Sequence, residues 1–186
     1  MPKEKLNLDI DQIRVHEALF LDCRIANNAQ PAIGPEQVAG FTDPNVVVLP
    51  FFSIEKRLVS FEVRVHTQAL GEDGAELPLT GDFRLHLSFQ VANLSELLRP
   101  NTLSPAPVPV PELSMMLVGA AYSTARGMVM SKVSDTVLGG FALPLRSVKR
   151  LMEDSNVLLR ERQSEATAPV APKRARKSRP APPSII

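Results

Sequence analysis

Apolar and polar residues alternate through most of the first half of the chain, and such alternation predicts half-buried strands. Over residues 12–26, Ile13, Val15, Leu19, Leu21, Cys23 and Ile25 stand against Gln12, Arg14, His16, Asp22 and Arg24, which predicts one long strand. Residues 27–45 are rich in turn formers (Asn27, Asn28, Pro31, Gly34, Pro35, Gly40, Asp43, Pro44) and predict a loop. Val46 to Phe52 is apolar on both faces, and Pro50 assigns that strand to a sheet edge or a kink.

The pattern is cleanest in a hairpin. Residues 58–70 place Val59, Phe61, Val63, Val65 and Ala69 on one face; residues 77–91 do the same with Leu77, Leu79, Phe83, Leu85, Leu87, Phe89 and Val91. Between them, a three-residue loop at 72–74 with Gly74 in the left-handed position suits a type I turn followed by a bulge. Centred there, the register sets Arg64 against Asp82, Glu62 against Arg84, Phe61 against Leu85 and Val63 against Phe83. Charge complementarity and the apolar face both favour that pairing.

The period then changes. Residues 100–111 carry five prolines and predict a stiff extended connector. Pro111 and Glu112 suit a helix start, and the helix is expected to run to about Val133. Its apolar residues fall on two tracks: Leu113, Leu117, Ala120, Thr124 and Met128, and Met115, Val118, Tyr122, Val129 and Val133. A surface helix shows one such stripe. The second track therefore predicts another apolar partner, and the small residues Gly119, Ala120, Ala121, Ser123, Thr124 and Gly127 permit a close one. Tyr122, Arg126 and Val129 are the expected oligomer-interface residues. Two readings compete with the interface: a helix central to a monomer's own core, awkward because one four-stranded sheet covers only one side, and a membrane span over 113–131. The span is of minimal length and contains Arg126, whose burial in lipid costs about 2.5–3.5 kcal/mol on insertion scales. Ser134 to Gly140 breaks the helix, Phe141 to Leu145 is extended, and Arg146 to Leu159 predicts a second, shorter helix.

Composition adds one asymmetry. The net charge is +1, yet residues 160–186 hold seven of the 21 basic side chains and only two of the 20 acidic ones. The body is thus mildly acidic and the tail basic. The division expected is a domain over 1–160 and a disordered, basic, Pro/Ala-rich tail over 161–186. That tail has no aromatic residue to stack on bases, and no nucleic-acid partner is expected. A single cysteine, Cys23, excludes an intramolecular disulfide and fits a reducing compartment, and no apolar leader is visible at the N-terminus, so a cytoplasmic location is the expectation. His16, His66 and His86 fall on polar strand faces without metal-ligand spacing. No nucleophile–base pair, phosphate loop or carboxylate pair is evident, so neither an enzyme, a metal nor a cofactor is expected.

The order of elements, four strands, a long helix, a loop and a short helix, resembles the SecB family of export chaperones. Tyr122-Ser123-Thr124-Ala125-Arg126 is similar to that family's Tyr-Ala-Arg stretch with a two-residue insertion. Leu143-Pro144-Leu145-Arg146 resembles its Leu-Ala-Pro segment, and Ala69-Leu70-Gly71 its hairpin turn. The resemblance implies an α+β fold: a four-stranded antiparallel sheet with a long helix and a short C-terminal helix packed on one face. It also implies a homo-oligomeric dimer of dimers that binds unfolded client polypeptides without nucleotide. Exposed apolar candidates for client contact are Phe41, Phe51, Phe52, Met115, Met116, Leu138 and Phe141. The family docks a SecA translocase motor on an acidic sheet surface; here Glu62, Arg64, Asp82, Arg84 and His86 are mixed in sign. A holdase serving export is one functional reading, and a dedicated adaptor or chaperone of a single partner, such as an antitoxin, is the alternative.

Overall fold

Strands β1 (Ile13–Asn27), β3 (Asn45–Ser53), β4 (Leu58–Leu70) and β5 (Glu76–Val91) form one antiparallel sheet in the computed structural model, which describes residues 8–100 and 107–155. The order is β1-β5-β4, and the far side of β4 is shared by β3 and the two-residue β2 (Gly40–Phe41). Helix α1 (Pro111–Val133) lies across β4 and β5, and residues 148–155 form α2. The fold is α+β, as expected. The tail at 161–186, and residues 156–159 of the expected second helix, lie outside the described residues.

Pro50 sits on an edge strand, as its missing N–H requires. The connector that follows β5 has its two ends pinned together: β6 (Leu98–Arg99) pairs with β7 (Val108–Pro109).

The hairpin turn forms as expected. Gly74 has φ 76°, and Gly71 N–H donates to Ala75 O at 2.9 Å. The register beyond it does not. Arg64 lies opposite Arg84, Glu62 opposite His86, His66 opposite Asp82 and Phe61 opposite Leu87, two residues from the expected pairing. The displacement enters between Gln68 and Leu70, whose partners are Thr80 and Glu76. Pro78 is the physical reason. It has no N–H for the ladder, so the stretch around it bulges. Gln68 Nε2 donates to Leu77 O (3.0 Å) and Asn28 N–H to Pro78 O (2.8 Å), replacing ladder bonds. An even shift leaves the faces unchanged, so Val59, Phe61, Val63, Val65, Leu79, Phe83, Leu85 and Leu87 remain buried.

Strand β1 departs further. Irregularities between Val15 and Glu17 and between Phe20 and Asp22 change its parity twice. Val15, Ala18, Phe20 and Cys23 consequently share the face of Phe89, Leu87, Leu85 and Phe83, while Leu19 lies opposite His86 on the other side. None of the fifteen residues is fully buried, because α1 lies over β4 and β5 and reaches this strand only beside Phe20.

The two-sided helix also resolves differently from the expectation. Leu113, Leu117, Ala121, Ala125, Val129 and Val133 form one continuous buried row, joined by Val118 and Tyr122. The second partner belongs to the same chain. After the turns at 134–140, where Gly140 takes φ 92°, Leu138, Phe141, Leu143 and Leu151 return and are buried. Phe141 stacks parallel to Phe83 at 6.3 Å and meets Phe41 edge-on at 5.1 Å. Ala120, Ser123 and Gly127 face outward.

Candidate functional site

Where an edge strand leaves backbone and aromatic rings uncovered, an apolar segment can dock. Strand β3 does so along half its length. Val48 N–H is taken by Ser155 Oγ of α2 at 2.9 Å, and that hydroxyl donates to Leu151 O at 2.6 Å. Helix α2 thereby seals the first half of the edge. Beyond it Pro50, Phe51 and Phe52 are exposed, the two rings at 52% and 38%.

A cavity of about 360 Å³ lies against this open half. Its walls are Pro50, Phe51 and Phe52 from β3, Val108 and Pro109 from β7, Val118 from α1 and Met152 from α2, with Val59 and Phe61 also lining it. Arg99 supplies the charged part of the lining, so the site offers apolar contact with little polar chemistry. The flexible thioether of Met152 suits a wall that accommodates differing side chains.

Of the expected client contacts, the structure brings only Phe51 and Phe52 together here. Met115 is exposed and Met116 half-buried on α1, outside the lining. Phe41 is half-buried against Phe141, and Leu138 and Phe141 are core residues, 0% and 3% exposed. They were expected at the surface because the segment that carries them reads as a linker; it instead packs on the sheet, against Gly81 and Phe83 of β5 and Phe41 of β2. Val108, Pro109 and Met152 were not anticipated. The alternate-proline spacing reads as a spacer, and only pairing with Leu98 and Arg99 turns it into a wall.

The expected interface residues divide as well. Tyr122 and Val129 are buried in the protomer's own core. The Tyr122 hydroxyl donates to Pro144 O at 2.7 Å, tying the return segment to α1. Burial pushes its phenol above the ordinary value, against the opposing charges of Arg146 and Arg126. Arg126 and the edge of Tyr122 line a second cavity, of about 170 Å³, between α1 and the 145–151 segment.

The outer sheet face is a lattice of compensated charge. Glu62 bridges Arg64 and Arg84, His66 Nδ1 lies 2.6 Å from Asp82, and His86 lies 3.8 Å from Glu17. The face lacks the acidic character the family resemblance implies for motor docking. Among the described residues no group of three His, Cys, Asp or Glu side chains is placed to hold a metal, and no helix is long and apolar enough to cross a membrane.

No family model matches the chain. No curated protein matches it. Among solved structures it is similar to a Mycobacterium tuberculosis SecB-like chaperone in complex with a ChAD peptide from the HigA1 antitoxin, at 15% identity and a TM-score of 0.49, over 74% of this chain and 92% of that one.

Proposed function

We propose that the chain is an ATP-independent, SecB-like chaperone that holds extended, unfolded polypeptide in the groove beside β3. The observation that carries this reading is the pairing of exposed Phe51 and Phe52 with an apolar cavity at an unsealed sheet edge. Full burial of a Phe side chain contributes about 1.5–3 kcal/mol. Covering two half-exposed rings therefore contributes about 1 kcal/mol each, and client side chains entering the cavity add to it. Capture of this kind favours unfolded chains by mass action and needs no nucleotide chemistry.

The test is suppression of aggregation of a chemically denatured client, without nucleotide, by the natural chain and by a Phe51→Ser, Phe52→Ser double variant. Both rings are solvent-exposed, so the variant is expected to fold with little loss of stability and to lose most of the suppression. Equal suppression by both proteins refutes the groove. Protection of a single partner, such as an antitoxin, with no effect on unrelated unfolded clients, replaces the general holdase with a dedicated chaperone at the same site.

A further inference from the structure

We infer that the cavity beside Arg126 is a carboxylate site, and that it takes an acidic side chain of a polypeptide flanked by an aliphatic residue. The inference stands apart from the groove at β3. Its starting point is a cation without a counter-ion. The Nε of Arg126 is buried and meets no acceptor among the described residues. No ion pair engages its guanidinium among them either, whereas its neighbour Arg146 has partners of its own. Arg146 Nη2 donates to Asp43 Oδ1 at 2.7 Å and to Pro44 O at 2.8 Å, and Nη1 lies 3.9 Å from Asp154.

Leaving a buried donor unpaired costs about 1–3 kcal/mol, and more for a charged group. Nothing in the cavity offsets that cost. Tyr122 spends its hydrogen on Pro144 O, and burial keeps its phenol neutral, so it supplies no competing anion. Ser123 supplies one hydroxyl at the rim. Of the remaining lining, Gly119, Leu145, Val148 and Leu151 are apolar and Arg146 is held by its own partners; the apolar walls strengthen any charge pairing formed inside.

A planar fork of N–H donors matches a carboxylate in two parallel hydrogen bonds. A phosphate dianion needs a second unengaged cation, and Arg146 is already committed. The volume, about 170 Å³, suits an Asp or Glu side chain and little more. Leu145, 85% exposed at the lip, offers an apolar contact to whatever flanks that acid. The acid is presented either by another polypeptide or by a second copy of this chain.

The experiment is an NMR titration of the full chain with N-acetylglutamate, with N-acetylglutamine as the uncharged control. It reads the Arg126 Nε–Hε resonance and the backbone amides of Ser123 and Val148. Saturable shifts with the acid and none with the amide are expected. An Arg126→Lys variant, which keeps the charge but loses the fork, is expected to weaken the response at least tenfold. The wild-type amides report the same event if that variant fails to fold. A resonance that begins at the bound position and moves on dilution assigns the carboxylate to a second copy. One that is invariant on dilution and moves with the probe assigns it to another chain. Absence of any shift on both dilution and titration, or equal shifts with the uncharged control, overturns the inference.

Discussion

Substituting Glu62 by Gln removes the anion that bridges two arginines facing each other across β4 and β5. The register sets Arg64 directly opposite Arg84, a like-charge pair that is unfavourable by itself. Glu62, two residues along β4 and only 7% exposed, accepts from Arg64 Nε at 2.5 Å, from Arg84 Nε at 2.7 Å and from Arg84 Nη2 at 3.0 Å. Glutamine keeps the shape but loses the charge, and its amide nitrogen turns a donor toward a guanidinium.

Hydrogen bonds to charged groups contribute about 1.5–3 kcal/mol. The arginine side chains are 34% and 49% exposed and recover hydration when released, so the loss at Glu62 is discounted to about 1–2 kcal/mol. For a chain of this size that corresponds to a fall in Tm of roughly 2–8 °C. The pH dependence supplies the sharper test. The hydrogen bond from Arg84, and then those and the charge of Arg64, hold the Glu62 carboxyl below the usual glutamate range despite the opposing effect of burial. A depressed folded-state pKa contributes stability that is complete above the unfolded value, about 4.3, and is lost as pH falls through the folded one. Paired urea denaturation of wild type and Glu62→Gln is therefore expected to show the full difference at pH 7 and a shrinking one below about pH 4. A difference under about 0.5 kcal/mol at pH 7, or one that does not change on acidification, refutes the bridging role.

Three further substitutions probe how the covers are held in place. Ser155→Ala orphans the Val48 amide at the sealed half of β3 and is expected to cost about 1–3 kcal/mol, with loss of hydrogen-exchange protection at Val48; unchanged protection there means that α2 does not seal the edge. Tyr122→Phe frees the Pro144 carbonyl and is expected to cost about 1 kcal/mol by chemical denaturation, a null result showing that the return segment is held by apolar contact alone. A Cβ on Gly81 would lie 2.7 Å from Leu138 Cδ1 and 2.9 Å from Phe83 Cε2, so Gly81→Ala is expected to destabilise by about 1–3 kcal/mol, and a neutral melt would mean that Leu138 repacks freely.

What the sequence revealed follows from how local each signal is. The limits of α1 were legible because Pro111, Glu112 and the Ser134–Gly140 break act within a few residues of the ends they define. The strands of the hairpin and the Gly74 turn were legible for the same reason. Register was not, because one proline within β5 displaces every pair beyond it; of the two ion pairs that argued for the wrong alignment, Glu62–Arg84 is made diagonally, while Arg64 turns to Glu62 and Asp82 to His66. The faces of β1 were misassigned because a bulge leaves no mark in an alternation pattern that edge exposure has already weakened. At the groove, the doubly apolar β3 announced Phe51 and Phe52. Its opposite walls come from three other elements whose arrival depends on tertiary packing.

The largest revision concerns self-association. A helix apolar on two sides argued for a sister protomer against Tyr122 and Val129, but both are buried within the protomer, Tyr122 against the chain's own return segment. Apart from the groove at β3, exposed apolar side chains also lie on β1, the other edge of the sheet. Val15 is 63% and Leu21 47% exposed, and the half-buried Phe20 lines a cavity of about 420 Å³ with Gly127, Met128, Ser131 and Lys132 of α1. Two bulges and the charges of Arg14, Glu17, Asp22 and Arg24 blunt this edge against backbone pairing, so side-chain contact is the term left to drive association. Copies of the chain are expected to associate through β1, and a Val15→Lys, Leu21→Lys double variant is expected to shift the assembly toward monomer in light scattering with an unchanged melting curve. Both side chains are largely exposed, so their replacement leaves the core intact. An assembly that survives this variant but is dispersed by Ala120→Lys on the outer face of α1 would return the interface to the helix. A wild-type chain that remains monomeric at micromolar concentration would remove the interface from both.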